Sequence, residues 1–297
     1  MTWITIALIA SFLYGTTNFI DRFLVEKRMQ DPFFVSIIGG IVAPIMGLII
    51  FVMRGSPIFS WQDMAVLALG GICSEVALVP WYKAIKMDDT SRVVPYFQFI
   101  PVVVLVMAYV LLGERLTTNQ LIGFVLIIGG GLSLAVERSA RELFRVRRSF
   151  WYIMGAVILF APIGVLFKVV AVDRNFWDSL AYELMGVGLG AIVLQMYAKR
   201  DVWRGMRAMS TSTWGIVGMN EGLYLCARVL QFYAVLIGPT ALVSVVGGIQ
   251  PLFALIIGLA MSTWFPNVIK EDIKVRVVLY KLAAILVMFV GVIFINK

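Results

Sequence analysis

The sequence predicts an all-α integral membrane protein, in which ten transmembrane helices form two inverted five-helix repeats around a central cavity. Composition is the first reason: of 297 residues, 61% are hydrophobic and 14% are charged, with a mean hydropathy of +0.94, whereas about 25% of the residues in a soluble domain are charged. The second reason is that the apolar residues occur in runs of about 20, the length that crosses a bilayer. The third is a similarity between the two halves of the chain.

Ten apolar runs can be placed along the chain. We expect the first to be a retained span rather than a signal peptide, because it lacks a basic n-region and a small-residue cleavage site. The predicted spans are 3–25, 33–53, 63–82, 93–112, 118–136, 151–171, 177–198, 213–236, 239–262 and 276–295. A basic linker at 137–150 divides the chain into a first repeat at 1–136 and a second at 151–297.

The fourth span carries two prolines close to its start, Pro95 and Pro101. Proline removes a backbone hydrogen bond and clashes with the carbonyl of the residue four positions earlier, so Pro101 is expected to free the carbonyl of Phe97. Gln98 lies beside this break. Because freed backbone groups are tolerated in a membrane only where protein or water satisfies them, the break is predicted to form one wall of a polar cavity.

The two halves of the chain resemble one another at a constant offset of 150 residues. The matched positions are Ala84 with Ala234, Thr90 with Thr240 and Pro101 with Pro251. A repeat of five spans must insert in the opposite orientation the second time, because five is odd. In transporters, inverted repeats place the substrate site at the midplane between the halves.

Several kinds of site are excluded by composition. The chain has no histidine, which removes the commonest general base and metal ligand near neutral pH. Cys73 and Cys226 fall inside spans, where a small buried apolar role is expected, and two cysteines cannot form a multi-cysteine metal site. We therefore predict no metal and no cofactor. The net charge of +8 is assigned to loops that face lipid headgroups rather than to nucleic-acid binding, because no basic patch is interleaved with aromatic residues.

Polar residues within the spans are the candidates for a substrate site, since an ionisable group in hydrocarbon is costly unless it faces a partner or an aqueous cavity. In the eighth span, Glu221, Tyr224, Arg228 and Gln231 lie on one helical stripe. Gly218 and Gly222 mark an adjoining face on which another helix is expected to pack closely. The predicted substrate-binding or coupling residues are Tyr14, Asn18, Glu75, Gln98, Lys168, Glu221, Tyr224, Arg228, Gln231 and Gln250.

Two interpretations of the charged residues remain open from the sequence. In one, Glu75, Lys168, Glu221 and Arg228 form buried ion pairs that hold helices together. In the other, Glu75 or Glu221 binds substrate or a coupling proton, and Lys168 and Arg228 hold anionic groups of the substrate or those carboxylates. Asp21 lies near a span end and is expected to be solvated. The aromatic residues around Trp81 and Phe97 are expected to form an interfacial belt.

The fourth and fifth spans carry a family resemblance. TSRVVPYFQFIP followed by LLGERLT-x-x-Q-x-x-G resembles the EamA-type branch of the drug/metabolite transporter superfamily. The resemblance implies a basket of ten helices, a cavity lined by spans 1, 3, 4, 6, 8 and 9, alternating access, and export or exchange of small molecules. It also implies cytoplasmic termini, whereas Lys and Arg are concentrated in the odd-numbered loops, which places the termini outside.

The function predicted from these features is secondary active transport of small polar or amphipathic metabolites, with protons as the coupling ion, in the inner or plasma membrane of the cell. The expected partners are a small-molecule substrate and the lipid bilayer. Flipping of a lipid or a lipid-linked sugar by the same fold is an alternative. An intramembrane enzyme acting on a lipid-linked substrate is an alternative from another class.

Overall fold

The computed structural model describes residues 2–29, 31–87, 93–133, 148–198, 202–250, 252, 253, 257 and 275–296. All regular structure in this part of the chain is helical. The helices are α1 (Trp3–Phe23), α2 (Pro32–Met53), α3 (Trp61–Met87), α4 (Phe99–Leu112), α5 (Thr118–Ser133), α6 (Arg148–Ala171), α7 (Phe176–Ala198), α8 (Val202–Ala208), α9 (Thr211–Ile237), α10 (Thr240–Gly247) and α11 (Val275–Ile295). A π-helical turn, Leu24–Arg28, extends α1.

Helices occupy the predicted spans wherever the structure describes them, and α8 is an additional short helix. The predicted break in the fourth span is present: a 3₁₀ helix at Val94–Gln98 precedes α4. Five helices are long and apolar enough to cross a membrane, namely α1, α2, α3, α6 and α7, and shorter apolar helices include Thr118–Ser133 and Leu282–Ile295. α9 has 27 residues but is outside that group, since its polar stripe lowers its hydropathy.

Some of the predicted features lie outside the described residues. These are Thr90, Pro251, the linker residues 137–147 and most of the ninth span after residue 250. The pairing of Pro101 with Pro251 therefore stays a prediction.

Local capping residues set several helix ends. The side chain of Thr2 accepts a hydrogen bond from the amide of Thr5 at the start of α1, and Ser210 accepts one from Thr213 at the start of α9. Asp31 does the same for α2, with Pro32 in the first turn, where a missing N–H costs nothing. α4 ends at Gly113, whose φ of 66° lies in the left-handed region that glycine adopts without strain.

The LLGERLT-x-x-Q motif fixes the connection from α4 to α5. Thr117 and Gln120 form a capping box: the amide of Gln120 donates to the Thr117 hydroxyl at 3.3 Å, and the amide of Thr117 donates to Oε1 of Gln120 at 2.9 Å. Gly123, one turn further on, lies against the backbone of Gly291 on α11. The motif therefore encodes a left-handed cap, a helix start and a close helix contact.

The main helix pairs join the two halves of the chain. α3 packs against α6 and α7, α2 against α7, α1 against α9, and α5 against α11. Small residues permit this, since Gly71 on α3 lies against the backbone of Gly186 and Val187 on α7. The expectation for Gly218 and Gly222 is wrong: among the described residues no atom lies within 4 Å of a Cβ added at either position, because α9 turns its polar stripe, not this face, toward its neighbours.

Candidate functional site

A cavity of about 240 Å³ lies between the two halves of the chain. The first half contributes α1, α3, the 3₁₀ helix and α4, and the second half contributes α6, α9, α10 and the residues that follow α10. On α1 the lining residues recur three or four positions apart and so share one helical face. That face presents Ser11, Tyr14, Thr17, Asn18 and Asp21 to the cavity.

Most of the residues predicted for the site line this cavity. They are Tyr14, Asn18, Gln98, Tyr224, Arg228, Gln231 and Gln250. Tyr14 and Tyr224 come from opposite halves and meet edge to face, with ring centroids 5.4 Å apart. Glu75, Lys168 and Glu221 are not among the lining residues.

Gln98 joins the two halves beside the cavity. Its Nε2 donates a 2.6 Å hydrogen bond to the backbone carbonyl of Gly248. Because that carbonyl can only accept, the amide orientation is fixed, and Oε1 of Gln98 is the group left without a hydrogen-bond partner among the described residues. Gln98 is 1% exposed, so this oxygen is a buried acceptor in the cavity wall.

Arg228 is paired with Glu183, which sequence reasoning left out of the predicted site. Nε of Arg228 donates to Oε2 of Glu183 at 3.0 Å, and Nη2 donates to Oε1 of the same carboxylate. Nη2 also reaches the Ser74 hydroxyl at 2.9 Å, and Nη1 the Tyr224 hydroxyl at 3.3 Å. Arg228 is 4% exposed and Glu183 is fully buried. The guanidinium therefore holds α9 to α7 and α3, and its charge is compensated before any substrate binds.

Glu75 and Glu221 lie behind the cavity lining, against two adjacent glycines of α2. Oε1 of Glu221 lies 3.1 Å from the position that a Cβ on Gly39 would take, and Oε1 of Glu75 lies 2.8 Å from the corresponding position on Gly40. These glycines give space to the two carboxylates, which are near enough to interact electrostatically. Glu75 is 3% exposed, and its Oε1 has no hydrogen-bond partner among the described residues.

Lys168 of α6 links the turn after α4, in the first half, to the end of α9, in the second half. Its Nζ donates to Oε1 of Glu114 at 2.9 Å and to the carbonyl of Gly238 at 2.6 Å. Glu114 also accepts from the amide and the hydroxyl of Thr240, each at 2.8 Å. A carboxylate at this position accepts hydrogen bonds from the free N–H groups at the start of α10, and its negative charge interacts favourably with the positive end of the α10 dipole. The Glu of the LLGERLT motif therefore fastens the first half to the second, a role that its position in a turn does not reveal.

The pKa of Glu114 lies below its ordinary value of 4.5. Burial acts to raise this pKa, but the hydrogen bonds from Thr240 and Lys168 outweigh burial. Since the folded-state pKa is depressed, the contribution of Glu114 to stability is complete above the unfolded-state value and is lost as the pH falls through the folded-state value.

Replacing Glu114 by Gln is expected to lower the melting temperature at pH 7, because Lys168 loses its charged partner. The melting temperature of the variant should then change less than that of the wild type between about pH 6 and about pH 3. Fluorescence-detected unfolding in detergent measures both. Parallel curves for the two proteins over the acid range would contradict the assignment.

Asp21 is buried, contrary to the prediction of a solvated charge. It is 7% exposed and accepts a 2.8 Å hydrogen bond from Nδ2 of Asn220. The Tyr82 hydroxyl lies within reach of the same carboxylate. The prediction failed because a position near a span end is solvated only if no other helix covers it, and here α9 and α3 do. The spacing of Asp21 from Tyr14 and Asn18, which puts the three residues on one helical face, was the sequence feature that could have indicated its burial.

The aromatic residues between α3 and α4 do not form an interfacial belt. Trp81 is 3% exposed and lies against Phe97, with ring centroids 4.5 Å apart. Phe97 in turn meets Phe160 of α6 edge to face at 5.7 Å. All three rings line the cavity. They give it an apolar aromatic wall beside the polar stripe of α1, an arrangement suited to an amphipathic small molecule.

Sequence comparisons match known proteins over parts of the chain. Residues 1–135 match the EamA-like transporter family. An uncharacterized protein of Methanocaldococcus jannaschii is 29% identical over 137 residues, which are 46% of this chain and 98% of that protein. An uncharacterized transporter in the cobO 3′ region of Sinorhizobium sp. is 33% identical over 70 residues, 24% of this chain and 50% of that protein. The chain thus spans half the length of this second relative.

The fold as a whole is similar to that of a solved protein. The crystal structure of another protein superposes on this chain with a TM-score of 0.71 at 14% identity, covering 99% of this chain and 98% of the other. At that identity the likeness shows the fold alone. Together with the apolar helices, the match of residues 1–135 to the EamA-like transporter family indicates a multi-pass integral membrane protein.

Proposed function

We propose that the protein is a secondary active transporter that exports or exchanges small polar or amphipathic metabolites across the inner or plasma membrane of the cell. The observation that carries this proposal is the cavity, which is lined by polar side chains from both halves of the chain. Its volume of about 240 Å³ is just below the ~300–1,000 Å³ typical of sites for drug-sized ligands. This volume favours a small metabolite over a lipid or a lipid-linked sugar.

Alternating access follows if the halves are inverted repeats that rock around the cavity. Four observations support this arrangement. Adding 150 to the bounds of α3 gives those of α9, and the packing of α1 on α9 has its counterpart in the packing of α6 on α3. Gln98 bonds Gly248, its own partner at the same offset. The relative from Methanocaldococcus jannaschii is matched over 98% of its length by 137 residues, about the size of one repeat.

Proton coupling is assigned to Glu75 and Glu221. Both carboxylates lie on helices that line the cavity but contact α2 instead of the cavity, near each other, while the neighbouring Arg228 is already bound to Glu183. Carboxylates in a membrane without a committed cation are stable when protonated and can release a proton when a cavity opens to water.

Purified protein in vesicles tests both parts. Vesicles loaded with equal amounts of amino acids, amines, organic acids and sugars should lose one class selectively, and an imposed pH gradient should accelerate that loss severalfold. A variant with Glu75→Gln and Glu221→Gln should still exchange internal for external substrate but should not respond to the gradient. Mass spectrometry of the vesicle contents measures each rate.

The matched control is Asp63→Asn, which removes a carboxylate of the partly exposed pair with Arg174 and should respond to the gradient as the wild type does. If vesicles that contain the protein lose none of the loaded compounds faster than vesicles without protein, the proposed transport function is wrong. If the double variant keeps its response to the gradient, the assignment of the coupling residues is wrong and transport stands.

A further inference from the structure

We infer that the substrate is an organic cation, an ammonium group attached to an apolar or aromatic body. This inference rests on the proposed transport function, whose substrate class it specifies. It departs from the expectation that Lys168 and Arg228 hold anionic groups of the substrate. The charges that face the cavity differ in whether a neighbouring side chain already neutralises them, and this difference indicates the charge of the substrate.

Two charged side chains line the cavity within the described part of the chain, Asp21 and Arg228. Arg228 makes two hydrogen bonds to the fully buried Glu183. An anionic ligand would have to compete with that carboxylate or add a second negative charge beside it, and both are unfavourable in a buried site. The other cation proposed for the site, Lys168, lies outside the lining and is bound to Glu114 and Gly238.

Asp21 has no such compensation. Its contacts are the neutral amide of Asn220 and the neutral hydroxyl of Tyr82, and no described lysine or arginine forms an ion pair with it. The charged group in electrostatic contact with it is a further carboxylate, Glu221. A carboxylate in a membrane without a cation is either protonated or charged at a cost, and a cationic ligand stabilises its charged form in both cases.

Two buried oxygen atoms near the cavity are also unused acceptors. Nδ2 of Asn220 donates to Asp21, which can only accept, so Oδ1 of Asn220 is left without a partner among the described residues, as Oε1 of Gln98 is. Asn220 is 3% exposed and Gln98 is 1% exposed. An ammonium group carries three donors and no acceptor. The site thus offers a carboxylate and unused acceptor atoms, which match the donors of a protonated amine.

The body of the ligand is indicated by the aromatic wall of the cavity. Trp81, Phe97 and Phe160 form a continuous aromatic surface, with centroid distances of 4.5 and 5.7 Å. Trp81 is adjacent in sequence to Tyr82, which reaches Asp21, so the aromatic wall begins beside the uncompensated carboxylate. Aromatic faces attract cations and stack on apolar rings. A phenyl- or indolyl-alkylamine fits both features.

The test compares ligands that share a body and differ in one group. The unfolding temperature of the full chain in detergent is measured with 2-phenylethylamine, 2-phenylethanol and phenylacetate, and with tryptamine, tryptophol and indole-3-acetate, at equal concentrations and neutral pH. A ligand that binds the folded state raises this temperature by mass action. At least one amine should raise the unfolding temperature. The alcohol with the same aromatic body should raise it less, and the acid with that body should not raise it.

Asp21→Asn should weaken binding of that amine at least tenfold. The matched control, Asp178→Asn, removes a carboxylate that pairs with the exposed Arg54 outside the cavity and should leave binding unchanged. If Asp21→Asn does not fold, the ligand series on the wild type decides. The inference is overturned if an acid stabilises the protein as strongly as its amine does. It is also overturned if none of the amines stabilises the protein.

The vesicle assay separates this inference from the proposed function. Selective loss of organic acids from loaded vesicles would overturn the cationic class and leave transport intact. Binding of an amine that is never moved would overturn transport and leave the cationic class intact.

Discussion

Replacing Glu183 by Gln is expected to lower the free energy of unfolding by about 3–5 kcal/mol, the cost of leaving one member of a buried ion pair without its partner. Arg228 is 4% exposed, so water cannot replace the lost carboxylate. Its guanidinium also holds Ser74 and Tyr224, and the loss of Glu183 leaves those neutral groups as its remaining contacts. At about 2–4 °C per kcal/mol, the melting temperature should fall by roughly 6–20 °C.

Thermal unfolding of the purified variants measures this effect. Asp178→Asn is the matched control, because its ion pair with Arg54 has side-chain exposures of 12% and 43% and pairs of that kind contribute at most about 1 kcal/mol. The double variant Glu183→Met with Arg228→Met should recover much of the lost stability, since apolar residues often replace a buried pair without cost. Equal melting temperatures for Glu183→Gln and Asp178→Asn would show that the pair does not stabilise the fold.

Introducing a single methyl group at Gly71 is expected to disrupt the contact between α3 and α7. A Cβ at this position would overlap the carbonyl oxygen of Glu183 and lie 2.5 Å from the amide nitrogen of Val187. Both are backbone atoms, so no rotamer change can relieve the clash and the helices must separate. Overpacking of this kind costs about 1–3 kcal/mol. Because Glu183 lies at the contact, the separation should also weaken its pair with Arg228.

Gly218→Ala makes the same chemical change at an open position, where no described atom lies within 4 Å of the added Cβ. Alanine favours a helix over glycine by about 0.5–1 kcal/mol, so this variant should be slightly more stable than the wild type. Thermal unfolding of both variants tests the pair of predictions. If Gly71→Ala melts at or above the temperature of Gly218→Ala, the close approach of α3 and α7 is wrong.

The cavity lining was predicted best where one helix supplies several of its residues. Spacing alone placed Tyr14 and Asn18 on one face of α1, and Tyr224, Arg228 and Gln231 on one face of α9, and these residues line the cavity. Spacing could not show that Glu221, on the same stripe, lies behind the lining against Gly39. It also could not show that Asp21 is covered by Asn220, which is 199 residues away in the sequence.

By itself, the sequence determined the membrane class, the positions of the described helices, the broken start of the fourth predicted span and the helix faces that carry polar groups. These features depend on composition, on the 3.6-residue period and on proline chemistry, all of which are local. Only the tertiary structure decided which charges meet: Arg228 pairs with Glu183 and Lys168 with Glu114, so that Asp21 is left without a cation among the described residues. The period of a helix fixes which side chains share a face, but the helix opposite that face is chosen by the packing of all the helices together.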